Sequence, residues 1–405
     1  MRAAAALRTS GPVTSLILAR PAVRRLNEGA AFGGRAPAAS PQSTATFEDR
    51  AAYVVGTPTR GRTMRTPPRT PPRTPRPDSP DRLAPVVDAV LAALAGELAA
   101  ECPPRAPRGE PCSNELTEVR LVVARTLVIK RARYAWDGER FRASRVAADL
   151  LRRRTGVLAP HQLDVGPEVD GRAVEAYWRI ELPTLRERWP ALAEEERRRA
   201  LRSWGGLLRR VHKVRLAGHG PLPRAVREPS SLAGFLAEEL ERRLPPAVAA
   251  HWPAARDAVR ALRALVPDVA RRLGPGPGVL LHNDPHLGNV LCEARGRRVR
   301  CVGVIDLEAA VAGPPESDLA HLQVLHGPLL GCPLPGGWFE HVLEGYGAPA
   351  DPATLAFYRA YHLVNLGVHA AMVGLHGHAA DVAGAVRYEV ATLADGPARA
   401  APAQR

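Results

Sequence analysis

Apolar positions divide this chain into three stretches with different periods. Residues 1–82 show no period and include Thr66-Pro-Pro-Arg-Thr-Pro-Pro-Arg-Thr-Pro-Arg-Pro77, a short repeat that favours polyproline II and cannot build a core. A disordered tail is expected there. Helical spacing starts near Leu83, with Val86, Val87, Val90, Leu91 and Leu94. A Pro/Gly break over 103–111 follows, then alternation through Leu116, Glu118, Arg120 and Val122 to Leu127-Val-Ile-Lys130, which predicts two short strands. Residues 142–154 read as a helix with Val146, Ala147, Leu150 and Leu151 on one face, stopped by Pro160, and 173–180 as another strand.

From Leu182 the period turns helical. Residues 194–214 form a long amphipathic pattern with Leu201, Trp204, Leu207, Leu208 and Val211 inside, and 235–244 and 254–273 are further helices. The Gly/Pro break 274–278 precedes a short apolar strand at 279–281, and a second strand at 302–305 leads into Asp306. Helices then run to about Ala394. The plan is α+β and bilobal: a small β-rich lobe over 83–178, then a larger, mainly helical lobe over 179–395 with a short strand pair at its base. Residues 396–405 read as a second disordered tail. This order of parts resembles a kinase-like plan.

Composition changes the picture in three places. The chain has 405 residues, enough for a two-lobed enzyme, and a formal charge of +15 that raises nucleic acid as a partner. Residues 1–85, however, carry 14 Arg against 5 acids, whereas 301–405 carry 4 Arg against 10 acids. The positive charge is a property of the tail, so nucleic acid is not expected. Lys130 and Lys213 are the only lysines against 54 arginines, so a retained Lys points to a place where an ammonium is needed. Cys102, Cys112, Cys292, Cys301 and Cys332 form no CxxC pair, and no run of 18 apolar residues occurs. A cytoplasmic protein without a disulfide framework, zinc site or membrane span is the expectation. The Arg-bearing start resembles a transit peptide but lacks a clear cleavage site; Met64 offers a later start.

Two segments carry candidate chemistry. His282-Asn-Asp-Pro-His-Leu-Gly-Asn289 follows an apolar strand and holds two of the five Asn in the chain. Asp284 is expected on an exposed turn, and Asn289, five residues on, offers an amide oxygen. Val302-Gly-Val-Ile-Asp306 then places a carboxylate at the end of a strand, followed by Gly313-Pro-Pro-Glu-Ser-Asp318-Leu-Ala320. Phosphoryl transfer needs a base or orienter for the hydroxyl, oxygen ligands for Mg²⁺ and a cation on the phosphates, and these parts occur here in order.

Together the two segments resemble the aminoglycoside phosphotransferase superfamily, whose usual forms are H-G-D-x-x-x-x-N and I-D-x-x-x-x-x-x-G-x-P-x-x-D-L-A, over about residues 105–395. The resemblance implies Asp284 as catalytic base, His282 as a brace of the catalytic loop, and Asn289 and Asp306 as Mg²⁺ ligands. It implies Lys130 on the ATP phosphates, Ser113 and Asn114 in the hairpin that covers them, and a hinge near Glu175-Ala-Tyr177-Trp178 that holds adenine through backbone groups. Asp318 is read from its segment as structural, holding the loop backbone as a helix cap, and His212 is read as structural too.

Three departures stand out. No Glu lies in the helix stretch 142–146 to pair Lys130, with Glu139 early and Asp149 late. Asn283 replaces the usual Gly, and Pro314 stands where Asp is common. His362, His369 and His376 repeat every seven residues, too far apart along a helix to share a metal. Glu308, Glu316, Glu340, Glu344 and Asp351 either favour a cationic substrate or belong to a solvated surface. The expected function is a small-molecule kinase using ATP and Mg²⁺ on a hydroxyl of an antibiotic-like molecule, as in antibiotic resistance, or of a metabolite. The alternatives are a tailoring kinase of natural-product biosynthesis and a kinase-fold nucleotide binder without turnover.

Overall fold

The computed structural model describes Val90 and residues 115–395, apart from breaks at 121–125, 133–136, 165–167, 170, 296–297, 328–333 and 373–375. The expected tails, nearly all of the helix begun at Leu83, and Ser113 and Asn114 lie outside the described residues. The first lobe is built on β1 (Glu115–Arg120), β2 (Thr126–Arg131), β3 (His161–Gln162), β4 (Glu168–Val169) and β5 (Arg172–Trp178). Their order is β1-β2-β5-β3, with β4 also on β5, and the neighbours are antiparallel. β2 is central, and its residues from Leu127 to Arg131 are all buried, which is why it reads as a continuous apolar run rather than an alternation.

Against this sheet packs α1 (Asp137–Arg154). It begins five residues before the expected start, because Asp137-Gly138 reads as a turn in sequence but opens the helix. Ala143, Ala147 and Leu151 recur every four residues on its buried face.

The second lobe opens with α2 (Leu185–Arg188) and α3 (Glu194–Val211). In α3, Leu201, Trp204, Leu207, Leu208 and Val211 are all buried, the expected stripe. After β6 (Gly220–Pro221) come α4 (Leu222–Ala225), α5 (Leu232–Glu238), a π-helical turn (Glu239–Arg243), α6 (Leu244–His251) and α7 (Arg256–Leu273). The chain then runs through β7 (Val279–Leu281), β8 (Val290–Arg295), β9 (Arg298–Val304) and β10 (Val311–Gly313) into α8 (Pro315–Leu325), α9 (Trp338–Tyr346), α10 (Pro352–Met372) and α11 (His376–Asp395).

The strand pairing corrects one expectation. β7 pairs with β10, which also takes β6, while the strand leading to Asp306 pairs with β8 in a separate hairpin. β8 escapes sequence reading because Glu293 and Arg295 break its apolar pattern, and Arg298 and Arg300 do the same at the start of β9. The hairpin sets Val290 opposite Val304, so the two candidate loops leave it side by side. Leu158, just past α1, accepts from Val304 N at 2.9 Å and donates to Val302 O at 3.0 Å, which ties the first lobe to the same hairpin. Among the described residues no helix is long and apolar enough to cross a membrane.

Candidate active site

The loop 282–289 is held from below by one buried carboxylate. Asp318, in the first turn of α8, accepts the backbone N–H of His282 on Oδ2 and that of Asn283 on Oδ1, both at 2.8 Å. His212 Nε2 lies 3.0 Å from Oδ2, and its Nδ1 is 2.9 Å from the Tyr346 hydroxyl. Burial opposes the charge on Asp318, but these hydrogen bonds and the neighbouring histidines hold its carboxyl below the usual range. Asp318 therefore fastens the loop backbone and does not cap a helix. His212 is structural.

Asn283 occupies the left-handed region at φ 60°, which explains why Asn can stand where Gly is usual. Its Nδ2 donates to Ala309 O at 3.0 Å. His282 is fully buried, and its Nε2–H donates to Ile305 O at 2.9 Å. Both residues thus tie the loop 282–289 to the segment around Asp306.

Asp284 stands on the turn beyond them, its side chain 34% exposed. Asn289 Nδ2 donates to its carbonyl at 3.0 Å and to Oδ2 at 3.2 Å. His286 Nε2 is 3.7 Å from the same Oδ2, while His286 Nδ1 accepts from Gly288 N and caps the turn Leu287–Asn289. Burial chiefly, with the charge of Asp306, pushes the Asp284 carboxyl up to about 6, against the pull of His282 and Asn289.

Asn289 O accepts from Ile305 N at 3.0 Å, which brings Asn289 beside Asp306. Asp306 is itself left-handed, at φ 59° and ψ 60°, with its side chain 46% exposed. Lys130 Nζ reaches its Oδ1 at 2.9 Å and holds its carboxyl low despite burial. With Asn289 Nδ2 spent on Asp284, the amide oxygen is left for another partner. One carboxylate and one amide oxygen on adjacent loops suit Mg²⁺, which takes its other ligands from phosphate and water. No cluster of three His, Cys, Asp or Glu suited to a metal occurs among the described residues.

Lys130 is buried among acids. Besides Asp306, Glu308 Oε1 lies 2.5 Å from Nζ, and Glu175 stands opposite Lys130 in the β2–β5 register. Burial opposes its charge, but Asp306, Tyr177, Glu308 and Glu175 outweigh it and raise the ammonium well above its ordinary value. Burial raises both glutamates, Glu175 to about 7, while Lys130 pulls each down. The Tyr177 ring centroid is 5.8 Å from Nζ.

The structure moves two expectations. Tyr177 and Trp178 lie inside β5, paired with Val128 and Leu127 on one side and with Gln162 and His161 on the other. Their backbone is committed to the sheet, and the chain leaves it only after Arg179, whose N–H still donates to Thr126 O at 2.9 Å. The five acids considered for a cationic substrate are dispersed. Glu308 is on Lys130, Glu344 pairs with Arg202 at 2.6 Å, Asp351 takes Thr354 N at 2.9 Å, and Glu316 and Glu340 sit on different helices. Sequence reasoning assigned no role on Lys130 to Glu175 or Glu308; the spacing Asp306-x-Glu308 was the available signal for the second.

The model of the phosphotransferase enzyme family matches residues 105–358. Among solved structures, the chain resembles an apo thermostable mutant of aminoglycoside phosphotransferase APH(4)-Ia. The identity is 16% and the TM-score 0.55, over 75% of this chain and 98% of that one. A thermostable mutant of the same enzyme in a ternary complex with ADP and hygromycin B gives 17% and 0.54, over 74% and 96%. A GDP and kanamycin complex of APH(2")-IIia gives 14% and 0.53, over 76% and 98%. These likenesses establish the fold. No curated protein matches the chain.

Proposed function

The chain belongs to the phosphotransferase enzyme family, and from that premise we propose that it transfers the γ-phosphate of ATP to a hydroxyl of a small molecule. The observation that carries this reading is the contact of Asn289 with Asp284 on one side and with the Ile305–Asp306 backbone on the other. It puts a carboxylate with pKa about 6 beside the groups that would meet the phosphates. A base with a pKa near the working pH is well matched to accept a hydroxyl proton.

In the proposed step the acceptor hydroxyl oxygen attacks the γ-phosphorus, the bond to the β–γ bridging oxygen breaks, and ADP leaves with that electron pair. The hydroxyl proton passes to Asp284 Oδ. His282 and Asn283 keep the base fixed against the Asp306 loop. Lys130 supplies a cation to the phosphates, and Ser113 and Asn114 cover them. Asn289 and Asp306 would hold Mg²⁺, which neutralises charge on the phosphate oxygens when bound. Residues 83–178 form the nucleotide-covering lobe and 179–395 the lobe that carries the loops. The adenine edge meets backbone in the segment after Arg179, with the Tyr177 side chain on the same face as Lys130.

The relatives of known structure hold hygromycin B or kanamycin, both small hydroxylated molecules, and the acceptor proposed for this chain is of that broad class. The alternative of a nucleotide binder without turnover rested on the missing helix Glu, and Glu308 on Lys130 weakens that ground. The test is ATP turnover against a panel of hydroxylated antibiotics and metabolites, with Asp284→Asn and Asp306→Asn as controls. Acceptor-dependent ADP release lost in both variants supports the reading. Binding of ATP with no turnover across the panel favours the non-catalytic alternative.

A further inference from the structure

Neither Glu139 nor Asp149, the acids of α1 with described side chains, reaches Lys130. Glu139 has a side chain 87% exposed and faces Arg142 at 3.7 Å. Asp149 is engaged by Arg152 at 2.6 Å and Arg153 at 4.0 Å. Ser144, in the stretch where a helix acid is expected, accepts from Gln162 Nε2 at 2.8 Å, and Gln162 also hydrogen-bonds Glu175. The helix therefore addresses Lys130 only indirectly on this side.

On the other side the connection is closer. The turn Leu307–Ala309 packs against α1, and its Glu308 is buried with Oε1 2.5 Å from Lys130 Nζ. Arg140, in the first turn of α1, is half-buried on the helix that packs against this turn. Its guanidinium disfavours the charged form of His369 on α10, which sets Arg140 where α1 meets the second lobe.

We infer that Glu308 is the residue that positions Lys130 for the nucleotide phosphates and that Arg140 couples this pair to α1. The link between helix and lysine then runs with its charges exchanged: the cation is on the helix and the acid on the turn after Asp306. The arrangement has a physical purpose. When Asp306 serves the metal and phosphates, a buried ammonium without a second acid in contact would be left costly and mobile. Glu308 keeps an anion on Lys130 throughout.

The inference rests on the phosphotransferase reading, and its test separates the two. ATP binding is measured by calorimetry on the full chain, first in EDTA and then with Mg²⁺, for wild type, Glu308→Gln, Arg140→Ala and the double variant. Circular dichroism checks each fold, and Glu308→Asp and Arg140→Lys serve as milder replacements. Glu308→Gln is expected to weaken metal-free ATP binding about tenfold, close to the worth of one charge-assisted contact. The double variant is expected to be no more than about twofold weaker than Glu308→Gln, because Arg140 acts through Glu308.

Metal-free ATP binding unchanged in Glu308→Gln, with only Mg²⁺-dependent binding reduced, would make Glu308 a metal ligand and overturn the positioning role. Multiplying effects of the two single variants would overturn the part assigned to Arg140. Wild-type protein that binds no ATP under either condition would remove the phosphotransferase reading and this inference with it.

Discussion

Asp318 Oδ1 accepts the N–H of Asn283 at 2.8 Å, and Asn283 makes that bond in a left-handed conformation at φ 60°. One carboxylate thereby sets the direction in which the chain turns from β7 towards Asp284. The backbone geometry tolerates Asn or Gly, and the acid below fixes it. Asn283→Gly is expected to keep the fold and most of the activity, losing only the bond to Ala309 O. Asn283→Val places a β-branched residue in the left-handed region and is expected to cost roughly 1–2 kcal/mol or more. Urea denaturation of both variants reads the difference; equal stability would mean that the turn relaxes.

Asp318→Ala removes the acceptor of two buried N–H groups and the partner of His212. Buried donors without partners cost about 1–3 kcal/mol each. A loss at the upper end of that range is expected, together with turnover reduced well beyond what the residual folded fraction explains. Asp318 contacts the loop backbone and His212, so unchanged turnover per folded molecule would show that the loop holds its geometry without it.

The titration of Asp284 has a definite sign. Its folded pKa of about 6 lies above that of an exposed Asp near 3.9, so the fold disfavours the charged form. Stability from this group is complete below the unfolded value and declines as pH rises through about 6. Under the proposed role of Asp284 activity runs the other way, because a base must be ionised to accept the proton. kcat/KM is expected to fall tenfold per pH unit below about 6, and Asp284→Asn to lose roughly 10²–10⁴ in kcat while remaining at least as stable at pH 7. A pH–rate profile flat from 5 to 8 would contradict the role given to Asp284.

Where sequence reading succeeded, the reason is local. An apolar strand feeding His282 and a lone amide five residues beyond Asp284 are features of short chain segments, and so is the stripe from Leu201 to Val211. Where it fell short, the reason is that partners are set by pairing of distant segments. β8 pairs with β9 out to Arg295 opposite Arg298, and these charges hid the hairpin that aligns Asn289 with Ile305. Tyr177 lies in the middle of a three-way strand pairing that only the sheet order reveals. Glu308 was visible as a charge, but its partner Lys130 is 178 residues away.

Gly205 shows how a helix can need the residue that weakens it. In α3 it lies under α9, and a Cβ there would collide with Val342 O; Gly345 in α9 meets Arg202 O in the same way. By propensity alone Gly205→Ala would stabilise the helix by about 1 kcal/mol. The obstructing atoms are backbone, so the helices must separate, and overpacking of this kind costs typically 1–3 kcal/mol. A net loss of stability is expected for Gly205→Ala. Because α9 also carries Tyr346, the hydrogen bond to His212 is disturbed with it. A rise in melting temperature would show that the two helices can yield.

Beneath the catalytic loop His362 of α10 stacks on His321 of α8, with centroids 4.0 Å apart and planes 3° from parallel. His362 Nε2–H donates to Ser317 O at 3.1 Å, and His321 hydrogen-bonds the backbone of Asn283. Ser317 Oγ, Tyr358, Tyr361, Asp318 and His282 are the other polar groups around the pair. Burial lowers both rings, His362 to about 3, so each is neutral in the fold at neutral pH, whereas in the unfolded chain each gains a proton near 6.5. Stability from His362 is then complete above about 6.5 and falls as pH drops towards 3, by roughly 1.4 kcal/mol per pH unit, and His321 adds in the same direction. Denaturation midpoints between pH 7.5 and 4.5 are expected to fall steeply for wild type. The fall should be shallower for His362→Gln, which keeps a donor for Ser317 O without titrating. Equal slopes in the two proteins would mean that the pair is solvated well enough to accept protons in the native state.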